Sequence, residues 1–263
     1  MEAKESFRRS DTAIVPTGTL HAHGPTPISV DASIAERLAD EVGKRTGFVT
    51  LPVVAYGEDE KMALYPGTIA ISPDTMEKVY IDICRSLHRN GIRKVIFING
   101  HGGNREVLVR AGRNAREFGV LTAIVEWWTV TKNLWPELCP PSRYDSITEL
   151  AIAVAVYGKD LIDLRGGGYK GEWGEDPSYF EKIFGDKIQP RGFNNFTYKG
   201  GAITIPVDAW EIDVNSPPDV STSELENLNK RGQELIRRVA DYLAEFAKDF
   251  ERIDVSNIPK SSD

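Results

Sequence analysis

The chain has 263 residues, of which 41% are hydrophobic and 27% charged, and its formal net charge is −7. That composition suits a globular protein large enough for a substantial core. The acid excess argues against a basic surface built to neutralise nucleic-acid phosphate or anionic lipid, which leaves a small-molecule substrate as the expectation, with no nucleic acid and no membrane as partner.

Apolar runs of strand length alternate with helical patterns. A strand at Ala13–Val15 precedes a helix from about Ala32 to Arg45. A strand from Phe48 to Val54, a helix from Pro73 to Arg89, a strand over Val95–Ile98, a helix through Val107–Arg116 and a strand over Leu121–Glu126 follow. Such alternation predicts an α/β fold with a parallel sheet. Asp31, Ser72 and Asn104 stand where helix N-caps are expected, and Gly47, Gly91 and Gly119 where helices end. His88, beside Arg89, reads as a cation at a helix C-terminus. Residues Ile147–Tyr157 are apolar nearly all round except Thr148 and Glu149, so this helix is expected to be buried and its carboxylate to need a partner.

Beyond Asp163 the pattern loses its period, and residues 165–201 read as irregular loops over a site or an interface. A strand over Ala202–Val207 and an amphipathic helix from about Ser223 to Phe250 follow, with residues 251–263 as a polar tail. No internal repeat or linker divides the chain, so 1–263 is taken as one domain. Cys84, in a helical pattern, and Cys139, in a Pro-rich loop, form no C-x-x-C pair, which sets aside zinc-thiolate and redox motifs and predicts free thiols. The charged start, Met1-Glu2-Ala3-Lys4-Glu5-Ser6, and the lack of a run of about 18 apolar residues predict neither a leader nor a membrane span, hence a cytoplasmic protein.

The chemistry concentrates in two glycine-bearing turns. His101 lies in Asn99-Gly100-His101-Gly102-Gly103-Asn104, directly after the strand ending at Ile98, where open α/β sheets place their ligands. His21 and His23 sit in a second such turn, with Asp31 eight residues beyond His23, so three of the four histidines occupy strand-end turns. Imidazole and carboxylate are the ligands of divalent ions at hydrolytic sites, so His21, His23, Asp31, His101 and Glu149 are candidate metal ligands. Each has a plainer role available: loop hydrogen bonding for His101, a helix cap for Asp31, an arginine pair for Glu149. Trp127 and Trp128 fit the wall of a pocket for a flat substrate or, equally, a core or subunit contact, and Glu126 beside them is a candidate general base if it faces inward.

Together these residues resemble the creatininase family of metal-dependent hydrolases. The resemblance rests on Gly18-Thr19-Leu20-His21-Ala22-His23-Gly24-Pro25 with Asp31, on Tyr56-Gly57 and Tyr65-Pro66-Gly67-Thr68, and on Asn99 to Asn104, with weaker likeness through Thr148-Glu149 and Asp219 to Gly232. It implies a three-layer α/β/α fold, a centre of one or two zinc, manganese or iron ions, and a homo-oligomer, often a hexamer. It carries His23, Asp31 and His101 over as metal ligands, with Glu149 as a further carboxylate that is a ligand or takes part in catalysis, and Tyr65 as a pocket residue. His21 stands where the family usually has a glutamate ligand, Gly103 where creatininase has another carboxylate, and Met62 where a histidine is usual. The function so implied is a divalent-metal hydrolase, zinc first, in which metal-activated water attacks a carbonyl of a small amide-type substrate, cyclic or open. Hydrolytic C–C ring opening of a cyclic diketone such as a dehydro-inosose is one alternative, and a non-catalytic metal-binding member is another.

Overall fold

The computed structural model describes residues 2–138, 146–164, 185–190, 195–207 and 220–256. In chain order these form α1 (Glu2–Arg9), β1 (Thr12–Thr17), α2 (Val30–Thr46), β2 (Val49–Thr50), α3 (Pro73–Arg89), β3 (Lys94–Asn99) and α4 (Asn104–Glu117). Then come β4 (Leu121–Glu126), α5 (Trp127–Leu134), α6 (Ser146–Tyr157), β5 (Ile188–Pro190), β6 (Asn195–Tyr198), β7 (Gly201–Thr204) and α7 (Leu225–Glu251). No helix among the described residues is long and apolar enough to cross a membrane.

A four-stranded sheet in the order β2-β1-β3-β4, parallel throughout, forms the middle layer. Because side chains alternate along a strand, β1 and β3 feed both faces. Ile14, Ile96 and Ile98 pack with α2, α6 and α7, while Ala13, Val15, Val95 and Phe97 pack with α3 and α4. The result is three layers of type α/β/α, as the resemblance implies. Going from β1 the chain turns outward through α2 to β2, then returns past β1 through α3 to β3. The strand order therefore reverses between β1 and β3, and open sheets bind ligands in the crevice beyond the strand ends at such a point.

Several elements differ from expectation. The strand expected over Phe48–Val54 pairs regularly only at Val49 and Thr50, with one further bridge between Thr17 and Val54. Trp127–Leu134 is helical, β5 and β6 stand where loops were expected, and the strand expected over Ala202–Val207 runs from Gly201 to Thr204 as β7, the three pairing as an antiparallel sheet. Asp31 and Asn104 do not cap their helices. Asp31 lies inside the first turn of α2 behind Ser29, and Asn104 is the first residue of α4. His88, in the last turn of α3, has its Nδ1 3.0 Å from the Arg93 guanidinium. Cys84 is free and buried, its thiol pushed up to about 12 by desolvation. Cys139, Asp219, residues 165–168 and the tail beyond 256 lie outside the described residues.

Candidate metal centre

The end of β1 runs through Gly18 into the turn that carries His21 and His23, and the end of β3 runs through Gly100 to His101. Asp31 reaches them from the first turn of α2 because Gly100 has no side chain: a Cβ there would stand 2.0 Å from the Asp31 carbonyl oxygen. Glu149 arrives from the first turn of α6, so two helices and two strand ends meet over one spot. The histidine rings of His21 and His23 lie with centroids 4.8 Å apart, and those of His21 and His101 5.1 Å apart.

The polar contacts are close. His101 Nδ1 lies 2.9 Å and His21 Nε2 3.4 Å from Asp31 Oδ2, His23 Nε2 lies 3.7 Å from Asp31 Oδ1, and His23 Nε2 lies 3.3 Å from Glu149 Oε1. A further carboxylate, which sequence reasoning did not single out, joins them: Asp59 Oδ2 is 2.8 Å from His21 Nδ1, and Asp59 Oδ1 is 3.5 Å from His101 Nε2. It falls between the Tyr56-Gly57 and Tyr65-Pro66-Gly67-Thr68 segments, and that position was the available signal. Asn104 holds this loop in place, accepting from the Glu58 backbone N–H at 2.9 Å and donating to the Gly18 carbonyl oxygen at 2.9 Å.

The electrostatics follow from crowding these groups away from water. Burial works against the Asp31 anion, but the imidazoles of His21, His101 and His23 outweigh it and hold its pKa down to about 2. For Asp59 burial also opposes ionisation, and His101 and His21 bring its pKa below the ordinary carboxylate value. Desolvation disfavours a charged His101, yet its contacts with Asp31 and Asp59 raise it to about 10. Glu149 is pushed up to about 7 by burial, which His23 only partly offsets.

Among the described residues, those that offer ligand atoms within 4.8 Å of one another form two sets, His21 with Asp59 and His101, and His21 with His23 and Asp31. Both ring nitrogens of His21, Nε2 of His101 and Oδ2 of Asp59 are buried without a hydrogen-bond partner among the described residues. Buried polar atoms are rarely left so. Ligands about 2.1 Å from a shared ion stand roughly 3.0 to 3.5 Å from one another at octahedral and tetrahedral angles, and most of the contacts above lie close to that span. The donor set therefore fits a divalent cation better than it fits a closed hydrogen-bond network.

A cavity of about 390 Å³ opens onto this cluster, lined by His21, His23, Asp31, Asp59, His101 and Glu149 together with Glu58, Lys61, Met62, Trp127 and Trp128. Glu126 and Tyr65 are not among its lining residues. Glu126 pairs with the Arg105 guanidinium at 3.3 Å, and Tyr65 packs with Met62, Phe196 and Val207. Trp127 and Trp128, in edge-to-face contact at 5.8 Å, do line the cavity.

Residues 1–146 match the family Creatininase, described as creatinine amidohydrolase. The chain belongs to the creatininase family. Within it the chain is similar to a mycofactocin precursor peptide peptidase of Mycolicibacterium smegmatis, 34% identical over 105 residues that cover 37% of this chain and 42% of that protein. It is 27% identical over 172 residues to the creatinine amidohydrolase of Pseudomonas putida, covering 57% and 66%. It is 25% identical over 126 residues to the 3-dehydro-scyllo-inosose hydrolase of Thermotoga maritima, covering 47% and 40%. Each match spans less than two thirds of the relative's own length. A crystal structure of creatininase superposes with a TM-score of 0.70 at 19% identity, over 96% of this chain and 95% of that one, so the fold is a creatininase fold.

Proposed function

We propose that this chain is a divalent-metal-dependent hydrolase that cleaves the carbonyl–nitrogen bond of a small amide-type substrate, such as a cyclic amide or a peptide end. The observation that carries this is the set of buried imidazole and carboxylate atoms, unpartnered and spaced like ligands around an ion, at the switch point of the sheet. His21, His23, Asp31, His101 and Glu149 would hold the cation. Zinc suits so imidazole-rich a set, and solved creatininases include a Zn-Zn form and a manganese form. When bound, such an ion polarises a substrate oxygen and lowers the pKa of water beside it.

The chain's own groups do the remaining work. Asp31, kept ionised by its three imidazoles, supplies fixed negative charge to attract a cation, and the hydrogen bond between it and His101 Nδ1 fixes that ring's orientation. Trp127 and Trp128 present flat apolar surface to one side of the cavity and exclude water there, and a volume near 390 Å³ suits one small molecule or the end of a peptide. Glu58 and Lys61, of opposite charge on the same wall, offer an acceptor and a donor to the polar ends of a substrate.

The similarity to the inosose hydrolase favours one second reading, hydrolytic C–C opening of a cyclic diketone. Assay of the purified protein against creatinine, short peptides and oxidised inositols, before and after chelation, separates them. Amide turnover that vanishes with EDTA and returns with zinc is expected, and His101→Ala should lower kcat/KM at least about 100-fold by removing a ligand. Turnover of the oxidised inositol alone would replace the amide reading with the second. Bound metal without turnover of any of these would make the chain a non-catalytic member.

A further inference from the structure

Asp59 forms contacts that a purely structural carboxylate would not need. It is 3% exposed, it sits on a loop and in no regular element, and it stands opposite Asp31 across the two rings of His21 and His101. Each ring turns one nitrogen to each acid. His21 offers Nε2 to Asp31 and Nδ1 to Asp59, while His101 offers Nδ1 to Asp31 and Nε2 to Asp59. The two sides are not alike. On the Asp31 side, His101 Nδ1 and Asp31 Oδ2 make a regular hydrogen bond of 2.9 Å, while His21 Nε2, 3.4 Å from Asp31 Oδ2, has no hydrogen-bond partner among the described residues. On the Asp59 side, His21 Nδ1, His101 Nε2 and Asp59 Oδ2 all lack a hydrogen-bond partner among the described residues, although His21 Nδ1 and Asp59 Oδ2 are only 2.8 Å apart. Two polar atoms that close, out of hydrogen-bond alignment and both buried, converge on something between them and not on each other.

We propose that the Asp59 carboxylate is a further ligand of this metal centre, converging with His21 Nδ1 and His101 Nε2 on a zinc-type ion in addition to the groups named above. This rests on the metal-dependent reading above and deepens it by adding a ligand. Two imidazoles and a carboxylate are a donor set typical of catalytic divalent ions. The hydrogen bond from His101 Nδ1 to Asp31 fixes the tautomer of that ring and leaves Nε2 as its ligand atom. The assignment accounts for the departure at position 21. An imidazole replaces the glutamate usual in the family, and Asp59 returns one carboxylate from the opposite loop.

Zinc content of the full-length protein, dialysed after loading with zinc alone and read by elemental analysis, tests this. Asp59→Asn and Asp59→Ala should each retain one zinc per chain fewer than the parent, with far-UV circular dichroism unchanged, whereas Glu60→Gln, at the exposed neighbouring acid, should keep that zinc. Parent-level zinc in both Asp59 variants would overturn the assignment while leaving the metal-dependent reading intact. Absence of zinc from the parent would overturn that reading itself. Because the variants could lose their fold, zinc-edge anomalous diffraction of the parent gives an independent decision. An ion within about 2.2 Å of His21 Nδ1, His101 Nε2 and an Asp59 oxygen supports the assignment, and an ion bound only on the Asp31 side, with the Asp59 carboxylate beyond bonding distance, refutes it.

Discussion

Gly103 shows how one missing side chain shapes the site. A Cβ at this position would lie 2.4 Å from the Glu58 carbonyl oxygen, 2.6 Å from His101 Nε2 and 2.7 Å from Glu58 Oε2. The space that a side chain at this position would need is filled by the loop that carries Glu58 and Asp59. Gly103→Ala must therefore push this loop and His101 apart, since the closest atom is backbone and cannot swing aside. A loss of about 1–3 kcal/mol in stability is expected from such overpacking, together with weaker zinc binding in titration. Unchanged melting and unchanged zinc affinity would show that the loop yields freely. At this scale much of the site was legible. His21, His23, Asp31, His101 and Glu149 are brought together as a set, because glycine-flanked histidines at strand ends and a lone acid on an apolar helix are conspicuous. Asp59 was not, because Glu58-Asp59-Glu60 reads in sequence as a solvated acidic run, and only the Asn104 hydrogen bonds show that its middle member turns inward. Glu126 lies outside the cavity lining and 3.3 Å from Arg105, a pairing that the strand-end position in the sequence does not show.

At the scale of elements, the parallel sheet and its helices were legible because buried β1 and β3 are continuous apolar runs and the helices carry amphipathic stripes. Of the small sheet only β7 was, within the strand expected over Ala202–Val207. β5 and β6 have only three and four residues, and the turn from β6 to β7 uses Lys199 and Gly200, both with positive φ, in place of an Asn-Gly signal. The same scale decides what joins α2 to α7. Arg45 on α2 pairs with Asp241 on α7 at 2.8 Å, but the aspartate side chain is half exposed, so the pair contributes little. Beneath it, Leu235 of α7 is fully buried in the cluster that holds Ile34 and Leu38 of α2. Leu235→Ala should cost about 2–5 kcal/mol by chemical denaturation, and Arg45→Ala less than about 1 kcal/mol. A larger loss from Arg45→Ala than from Leu235→Ala would reverse this ranking of packing over surface charge.

For the whole molecule, the crowded site couples stability to pH in opposite senses with and without metal. His101 has a folded pKa of about 10 against an ordinary 6.5, so the stability it contributes is complete below 6.5 and disappears as pH rises toward 10. Glu149, raised from 4.5 to about 7, likewise favours the folded chain below 4.5 and ceases to do so between 4.5 and 7. Asp31, lowered from 3.8 to about 2, works the other way: its contribution is present above 3.8 and is lost as pH falls toward 2. The metal-free protein should thus be most stable near pH 4 to 6 and lose a few kcal/mol by pH 9, at about 1.4 kcal/mol per unit of pKa shift realised. A divalent ion needs neutral imidazoles and ionised carboxylates, so it replaces those protons, and its stabilisation grows as pH rises. Thermal melts in EDTA at pH 5.5 and 8.5 should show the lower melting temperature at pH 8.5. Saturating zinc should raise the pH 8.5 value far more than the pH 5.5 value. Equal melting at the two pH values in EDTA, or an equal zinc effect at both, would mean that the imidazoles and acids of this site do not carry the protons assigned to them.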